Sequence, residues 1–272
     1  NNCHTAENWH FDKASWRDYP KLLCQLQVVC DDGSEHTLTS GPDWKVADSP
    51  IQFDGLRNGE TYDARLEQAG WDEPGFDDGA WDKARVVPGP GGVLEQQTFP
   101  PCRVVETIEA KDVVRLDADT VRFDLGQNIA GWARIDVAGE PGRQITLRYG
   151  DKLTDDGRLD HSNFAVHIVG DIQTDRYTPA GRKREVWEPR FTYHGFRYVE
   201  ATGWPGEPRP AQLHGRVVRS AFESAGHFEC ASAVVNRLQH CTRRAYVGNF
   251  VGIPTDCPHR EKNGWTGDAQ LA

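Results

Sequence analysis

The sequence predicts a mainly β protein: two antiparallel β-sandwich domains, then a single helix and a long polar loop. Three observations carry this. Short runs of alternating apolar and polar residues, divided by Gly, Pro and Asp, recur as far as Arg219, the pattern of half-buried strands in a sandwich. Strand–helix alternation, a Gly-x-Gly-x-x-Gly motif and a P-loop are all missing from the sequence, which disfavours a nucleotide-binding α/β fold. Apolar residues at helical spacing appear only after Phe228.

In order along the chain, Leu22, Cys24, Leu26, Val28 and Cys30 alternate, Asp31-Asp32-Gly33-Ser34 supplies a turn, and a second extended run passes through His36 and Leu38. That is a hairpin signature. Further short strands are expected near Trp44–Val46, Ile51–Phe53 and Thr61–Arg65, followed by a loop from Gly70 to Trp81 that carries Trp71, Phe76 and Trp81. Pro88-Gly89-Pro90-Gly91-Gly92 breaks regular structure and closes a first domain over 1–92. The second sandwich, 103–219, has alternation at Val121, Phe123 and Leu125, and Gly126-Gln127-Asn128 is expected to turn the chain toward Trp132–Val137. Ile145, Leu147 and Tyr149 alternate in turn, and Arg190–Tyr193 and Phe196–Val199 form two runs separated by His194-Gly195. In the third unit, 228–272, Ser232 is a helix N-cap. Val234, Val235, Leu238, Cys241, Ala245 and Tyr246 fall on one helical face, so a helix is expected over 232–248, ended by Gly252 and Pro254.

Composition narrows the function. With 31 basic against 41 acidic residues the chain carries a net charge of −10, so neither nucleic acid nor an anionic membrane is expected as a partner; both require a basic face. No apolar run is long enough to span a bilayer. Seven cysteines at irregular spacing, an odd number, do not make a disulfide framework. Cys24 and Cys30 lie on one expected strand, roughly 20 Å apart, beyond disulfide reach. Reduced thiols and no structural zinc are expected. Nine tryptophans are expected mostly to fill β cores. The chain has no Met and stops at Leu271-Ala272, where a helix is starting; it reads as a piece of a longer protein.

Chemistry concentrates in the last stretch, Gly252–Asp268, where two prolines and three glycines forbid a continuous helix. It holds Asp256, Glu261 and Asp268, with His259, Arg260 and Trp265 between them. A solvated loop in which Asp268 caps a following helix accounts for part of this. The three carboxylates and the indole exceed what capping needs.

Asp256-Cys257-Pro258-His259-Arg260-Glu261-Lys262, followed by Gly264-Trp265-Thr266-Gly267-Asp268, resembles the signature loop of the bacterial α-L-rhamnosidases, glycoside hydrolase family 78. Upstream, Gly59–Arg65 and Pro74–Asp78 resemble that family's N-terminal β-sandwich, and Phe123–Asn128 and Thr192–Tyr198 its second β domain. The resemblance implies that residues from about 230 open a catalytic (α/α)6 barrel that is cut off at residue 272. It also implies inverting hydrolysis of terminal α-L-rhamnose, with a rhamnose-containing oligosaccharide or glycoside as partner and no cofactor. Carried over by position, Glu261 resembles the general acid, and Asp256, Arg260, Trp265 and Asp268 resemble residues that hold the sugar. The general base would be a Glu beyond this chain, so the chain alone is expected to be inactive.

An inverting acid must keep its proton near neutral pH, through desolvation or neighbouring negative charge. Asp256 and Asp268 are expected to supply the charge and Trp265 a dry wall. Lys262 is expected to face solvent, Asp268 to stay ionised at a helix N-terminus, and His259 and Cys257 to pack within the loop. Two other readings stand beside the first: a carbohydrate-binding β-sandwich without chemistry, suggested by Trp71, Phe76 and Trp81, and an inverting glycosidase of the same architecture acting on another sugar.

Overall fold

The computed structural model describes residues 20–89, 91–164 and 170–267. The first element among the described residues is the expected hairpin, β1 (Gln25–Val29) and β2 (Glu35–Thr39), paired in the register Leu26 opposite Leu38 and Val28 opposite His36. Both strands are exposed along their length. β3 (Lys45–Val46) pairs with β6 (Asp82–Lys83), and β4 (Ile51–Gly55) forms a second hairpin with β5 (Gly59–Asp63). The run expected to stay extended to Arg65 instead turns after Asp63. Ala64–Leu66 form a short 3-10 turn, because the Asp63 carboxylate accepts the Arg65 N–H at 3.1 Å.

The main sheet adds β7 (Cys102–Glu109), β8 (Asp112–Arg115), β9 (Thr120–Val137), β10 (Ile145–Gly150), β11 (Thr174–Thr178), β12 (Glu185–Trp187), β13 (His194–Thr202) and β14 (Leu213–Ser220). Its order is β4-β5-β11-β10-β13-β9-β14-β7, with β8 and β12 also paired to β9. Each of these pairings is antiparallel except β5 with β11, which run parallel from Thr61 opposite Arg176 to Thr178 opposite Asp63. Strands from residues 51–63 are thus continuous with a sheet built by residues 102–220.

Strand β9 organises the core. Its alternation buries Val121, Phe123 and Leu125 in one half and Ala133, Ile135 and Val137 in the other. From β10 and β13 come Ile145, Leu147, Tyr149, Phe196, Val199 and Ala201. Each fully buried large apolar side chain contributes roughly 1.5–3 kcal/mol. Trp204 packs on Phe123 at 4.8 Å between ring centres, and Trp187 stacks on Tyr177 at 5.2 Å.

The turn expected at Gly126-Gln127-Asn128 is a bulge within one continuous strand. On β13 the pairing passes from Phe196–Ile129 to Tyr198–Asp124, so Arg197 stands opposite four residues of β9. Gly126 adopts a φ of +74°, the Asp124 carboxylate accepts its N–H at 2.6 Å, and the Arg197 guanidinium holds both Asp124 oxygens at 2.8 Å. A second difference lies at Arg190–Tyr193, where a strand is expected and none forms. The Glu60 carboxylate accepts the N–H groups of Arg190 and Phe191, at 3.0 and 3.1 Å, taking them away from any ladder.

The tryptophans also depart from expectation. Among the described residues only Trp187 and Trp204 are buried; Trp44, Trp81 and Trp132 are half-buried, and Trp71 and Trp265 exposed. Two of the half-buried ones place the indole N–H on a partner, Trp132 on Glu188 at 2.7 Å and Trp81 on Gln68 at 2.8 Å. The six described cysteines are unpaired thiols; Cys3 lies outside the described residues.

Helix α1 (Ala233–Gly248) follows the expected span closely, with the Ser232 hydroxyl accepting the Val235 N–H. It ends at Asn249, before Gly252 and Pro254, and the Asn249 carbonyl accepts both the N–H and the hydroxyl of Thr255. Val234, Val235 and Leu238 are exposed, an apolar face that one helix cannot cover by itself. No helix among the described residues is long and apolar enough to cross a membrane.

Candidate active site

After α1 the chain makes a tight pair of strands, β15 (Phe250–Val251) and β16 (Ile253–Pro254), reversing at Gly252 with φ +84°. Thr255 then bridges to Gly264, and Asp256 N–H donates to the Asn263 carbonyl. Residues 256–263 therefore form a loop with paired ends, an Ω-type element.

Asp256 holds this loop from inside. Its Oδ1 accepts the N–H of Cys257 at 2.8 Å and of Asn263 at 3.2 Å. The thiol of Cys257 accepts the N–H of Glu261 at 3.4 Å, and His259 packs edge-on against Phe164 at 4.8 Å, so both serve in packing as expected. Desolvation lowers the His259 imidazole below its ordinary range. Arg260 donates to the Asn163 carbonyl at 2.8 Å and sets its Nε 3.6 Å from Glu261 Oε1. A cation beside a carboxyl favours its charged form, so Arg260 opposes the acid role from this position. The Glu261 side chain is one-fifth exposed. Trp265 is 53% exposed, and its backbone N–H donates to the Pro254 carbonyl; among the described residues its indole forms no dry wall. Asp268 and the helix expected after it lie outside the described residues.

Lys262 corrects the expectation of a solvent-facing side chain. It is buried, its Nζ donates to the carbonyls of Leu56 and Tyr193, and it lies 4.4 Å from the Tyr193 ring centre. Its φ of +52° is a left-handed conformation that a non-glycine residue adopts at a cost of about 1–2 kcal/mol. That conformation accompanies an inward side chain, from which the carbonyls of Leu56 and Tyr193 accept. Burial, with Arg57 adding like charge, pulls the ammonium down to about 7.

The groups that place the loop come from far upstream, and local sequence signals do not reveal them. Arg57, on the tip of the β4–β5 hairpin, donates to the Glu261 carbonyl from Nε at 2.9 Å and Nη2 at 2.6 Å, and from Nη2 to Asn263 Oδ1 at 3.3 Å. The tip is itself fixed. Asn58 Nδ2 donates to the Asp171 carbonyl, and Gln173 and Thr174 donate back to the carbonyls of Arg57 and Asn58. Gly59 permits this approach: its φ is +127°, and a Cβ there would lie 2.0 Å from the Thr174 carbonyl oxygen.

Beneath the loop, His194 Nε2 faces both oxygens of Asp175 at 3.1 Å, Tyr149 OH donates to Asp175 at 2.6 Å, and Glu60 N–H adds a third donor at 2.8 Å. All are buried, and Tyr149 stacks on His194 at 4.1 Å. Desolvation lowers the His194 imidazole below its usual range. Between this network and the loop stands Gly195, where a Cβ would lie 2.7 Å from Pro258 Cγ and 3.1 Å from His259 N. Gly195→Ala should therefore displace the loop without straining β13. In the full-length protein we expect turnover to fall about tenfold or more from misplacement alone, with the melting temperature lowered by only a few degrees, as steady-state kinetics and calorimetry would show.

A cavity of about 520 Å³ adjoins the loop between α1 and the sheet, lined by Gln127 and Asn128 of the β9 bulge, Asp151, His240, Arg244 and His259, among others. Among the described residues no cluster of His, Cys, Asp and Glu could hold a metal ion.

Comparison with known proteins bears on this arrangement. Three family models match in succession: the α-L-rhamnosidase N-terminal domain over residues 3–106, the bacterial α-L-rhamnosidase concanavalin-like domain over 114–219, and the bacterial α-L-rhamnosidase six-hairpin glycosidase domain over 223–272. The chain belongs to the bacterial α-L-rhamnosidases of glycoside hydrolase family 78. It is 39% identical to an α-L-rhamnosidase of Streptomyces avermitilis over 99% of its own length and 26% of that protein's. An α-L-rhamnosidase of Formosa agariphila is 35% identical over 98% of this chain and 30% of that protein. Among solved structures, the α-L-rhamnosidase of Dictyoglumus thermophilum superposes with a TM-score of 0.88 at 40% identity, over 93% of this chain and 28% of that one. The Streptomyces avermitilis enzyme complexed with L-rhamnose gives 0.84 at 40% identity, over 92% of this chain and 24% of that one. The chain thus spans about a quarter of the length of these relatives. Its mainly β build, with a single α-helix among the described residues, agrees with N-terminal β domains followed by the start of a helical barrel.

Proposed function

We propose that the protein to which this chain contributes is an inverting hydrolase that releases terminal α-L-rhamnose, with Glu261 as general acid. The observation that carries this reading is the anchoring of the Asp256–Asn263 loop on the β region. Both backbone polar groups of Glu261 are bonded, its N–H to Cys257 and its carbonyl to Arg57, so its carboxyl stands on a fixed main chain. Catalytic carboxyls need such fixed placement.

In the proposed step the Glu261 carboxyl gives its proton to the glycosidic oxygen as the C1–O bond breaks, and that bond's electron pair leaves with the oxygen. Water attacks C1 from the opposite face and gives up a proton to a second carboxylate, a Glu outside this chain. Solvent then takes that proton and returns one to Glu261. Asp256, Arg260, Trp265 and Asp268 are proposed to hold the sugar. Arg260 would leave its present place beside Glu261 for a sugar hydroxyl, removing the cation that opposes protonation. Domain limits of 1–92, 103–219 and 228–272 belong to the same reading, with residues from about 230 opening the (α/α)6 barrel.

The test is a panel of aryl glycosides given to the full-length protein, with the first-formed anomer followed by NMR. Cleavage of the α-L-rhamnoside with initial release of the inverted β anomer is expected. Hydrolysis of other glycosides with the rhamnoside untouched would refute the substrate, and initial release of the α anomer would refute inversion.

A further inference from the structure

We propose that Arg57, on the tip of the β4–β5 hairpin, is a positioning residue for proton donation: its guanidinium fixes the main chain of Glu261 and so aims the carboxyl at the departing oxygen. The proposal rests on the reading of Glu261 as the acid.

The geometry is reciprocal. Two adjacent residues of the hairpin tip meet two adjacent residues of the loop. Arg57 donates through Nε and Nη2 to the Glu261 carbonyl, while Lys262 donates to the Leu56 carbonyl. Each pair supplies one side-chain nitrogen donor and one carbonyl. Cationic donors make stronger bonds than neutral ones, and a planar guanidinium placing two N–H groups on one acceptor also fixes direction. The third contact, Arg57 Nη2 to Asn263 Oδ1, reaches the residue whose N–H and carbonyl both bond Asp256. Arg57 therefore ties Glu261 to the residue that closes the loop. The left-handed Lys262 next to it holds a conformation that a free loop would relax.

Structural glue alone would slow all substrates alike, whereas misplacement of an acid has a specific signature. Proton donation matters most when the leaving oxygen is basic and little when the leaving group departs readily as an anion. The experiment compares Arg57→Ala, Arg57→Lys and Glu261→Gln with wild type in the full-length protein, on an alkyl α-L-rhamnoside and a dinitrophenyl α-L-rhamnoside. For Arg57→Ala, kcat on the alkyl substrate should fall about 10- to 100-fold, the scale of a misplaced catalytic group. On the dinitrophenyl substrate it should fall less than about threefold, with KM nearly unchanged on both. Arg57→Lys, which keeps the charge and loses the fork, should lie between and carries the test if the alanine variant does not fold. Equal losses on both substrates, or none, would overturn the positioning role. If Glu261→Gln also shows no leaving-group dependence, the acid assignment itself falls. If Glu261→Gln shows it and the Arg57 variants do not, the acid stands and only the positioning role is lost.

Discussion

Glu261→Gln in the full-length protein is expected to lower kcat on unactivated rhamnosides by about 10²–10⁴-fold, the usual contribution of general acid catalysis. Binding of L-rhamnose should stay near its wild-type strength. Gln preserves the length and planarity of the side chain and the Glu261 backbone bonds to Arg57 and Cys257, so the loop keeps its shape while the transferable proton is gone. The pH dependence supplies a second reading of the same variant. Loss of the acid's proton sets the alkaline limb of the wild-type profile, and that limb should disappear in the variant. Turnover close to wild type would take Glu261 out of the acid role. An unchanged alkaline limb would assign that ionisation to another group.

The largest effect on stability is expected from Asp175→Ala. This carboxylate accepts from Tyr149 OH, His194 Nε2 and Glu60 N–H where no water reaches, and its removal strands three donors. Stranding buried partners in this way costs about 3–5 kcal/mol, measurable by urea unfolding. Tyr149→Phe removes one donor and leaves the acceptor partly satisfied, so about 1 kcal/mol is expected. Because both changes act on one network, they should combine to less than their sum. Full additivity would show that Tyr149 and Asp175 are not coupled. The network lies against Gly195 and the Tyr193 carbonyl that receives Lys262, so the loop should become more mobile in step with the loss of stability.

Much of the fold was legible because burial on one side imposes a period on the chain. Val121-Arg122-Phe123-Asp124-Leu125 and Ile145-Thr146-Leu147-Arg148-Tyr149 show that period openly, and Ser232 marks the start of α1 to within a residue. Three readings failed for one shared reason. Gly126-Gln127-Asn128 has turn chemistry, yet Asp124 and Arg197 use that chemistry to make a bulge; Arg190–Tyr193 alternate, yet Glu60 captures their N–H groups. Lys262 looks like a solvated loop cation, yet the carbonyls of Leu56 and Tyr193 draw it inside. In each case the deciding partner lies far away in sequence, where no local pattern reports it. The candidate site divides in the same way. Asp256, Arg260 and Glu261 stand out because charge is dense within one short loop, whereas Arg57 and Gly195 become visible only when the hairpin tip and the start of β13 are seen against that loop.

The parallel pairing of β5 with β11 bears on how the chain is made. Translation delivers Thr61 more than a hundred residues before Arg176, its partner in the ladder, an interval on the order of ten seconds at ordinary elongation rates. Throughout that time the β4–β5 hairpin leaves the ribosome with one edge unsatisfied, open to pairing with another nascent chain. Slower synthesis between those two points would lengthen the exposure, and yield on overexpression should therefore depend on codon choice across that interval more than on codon choice downstream of β11.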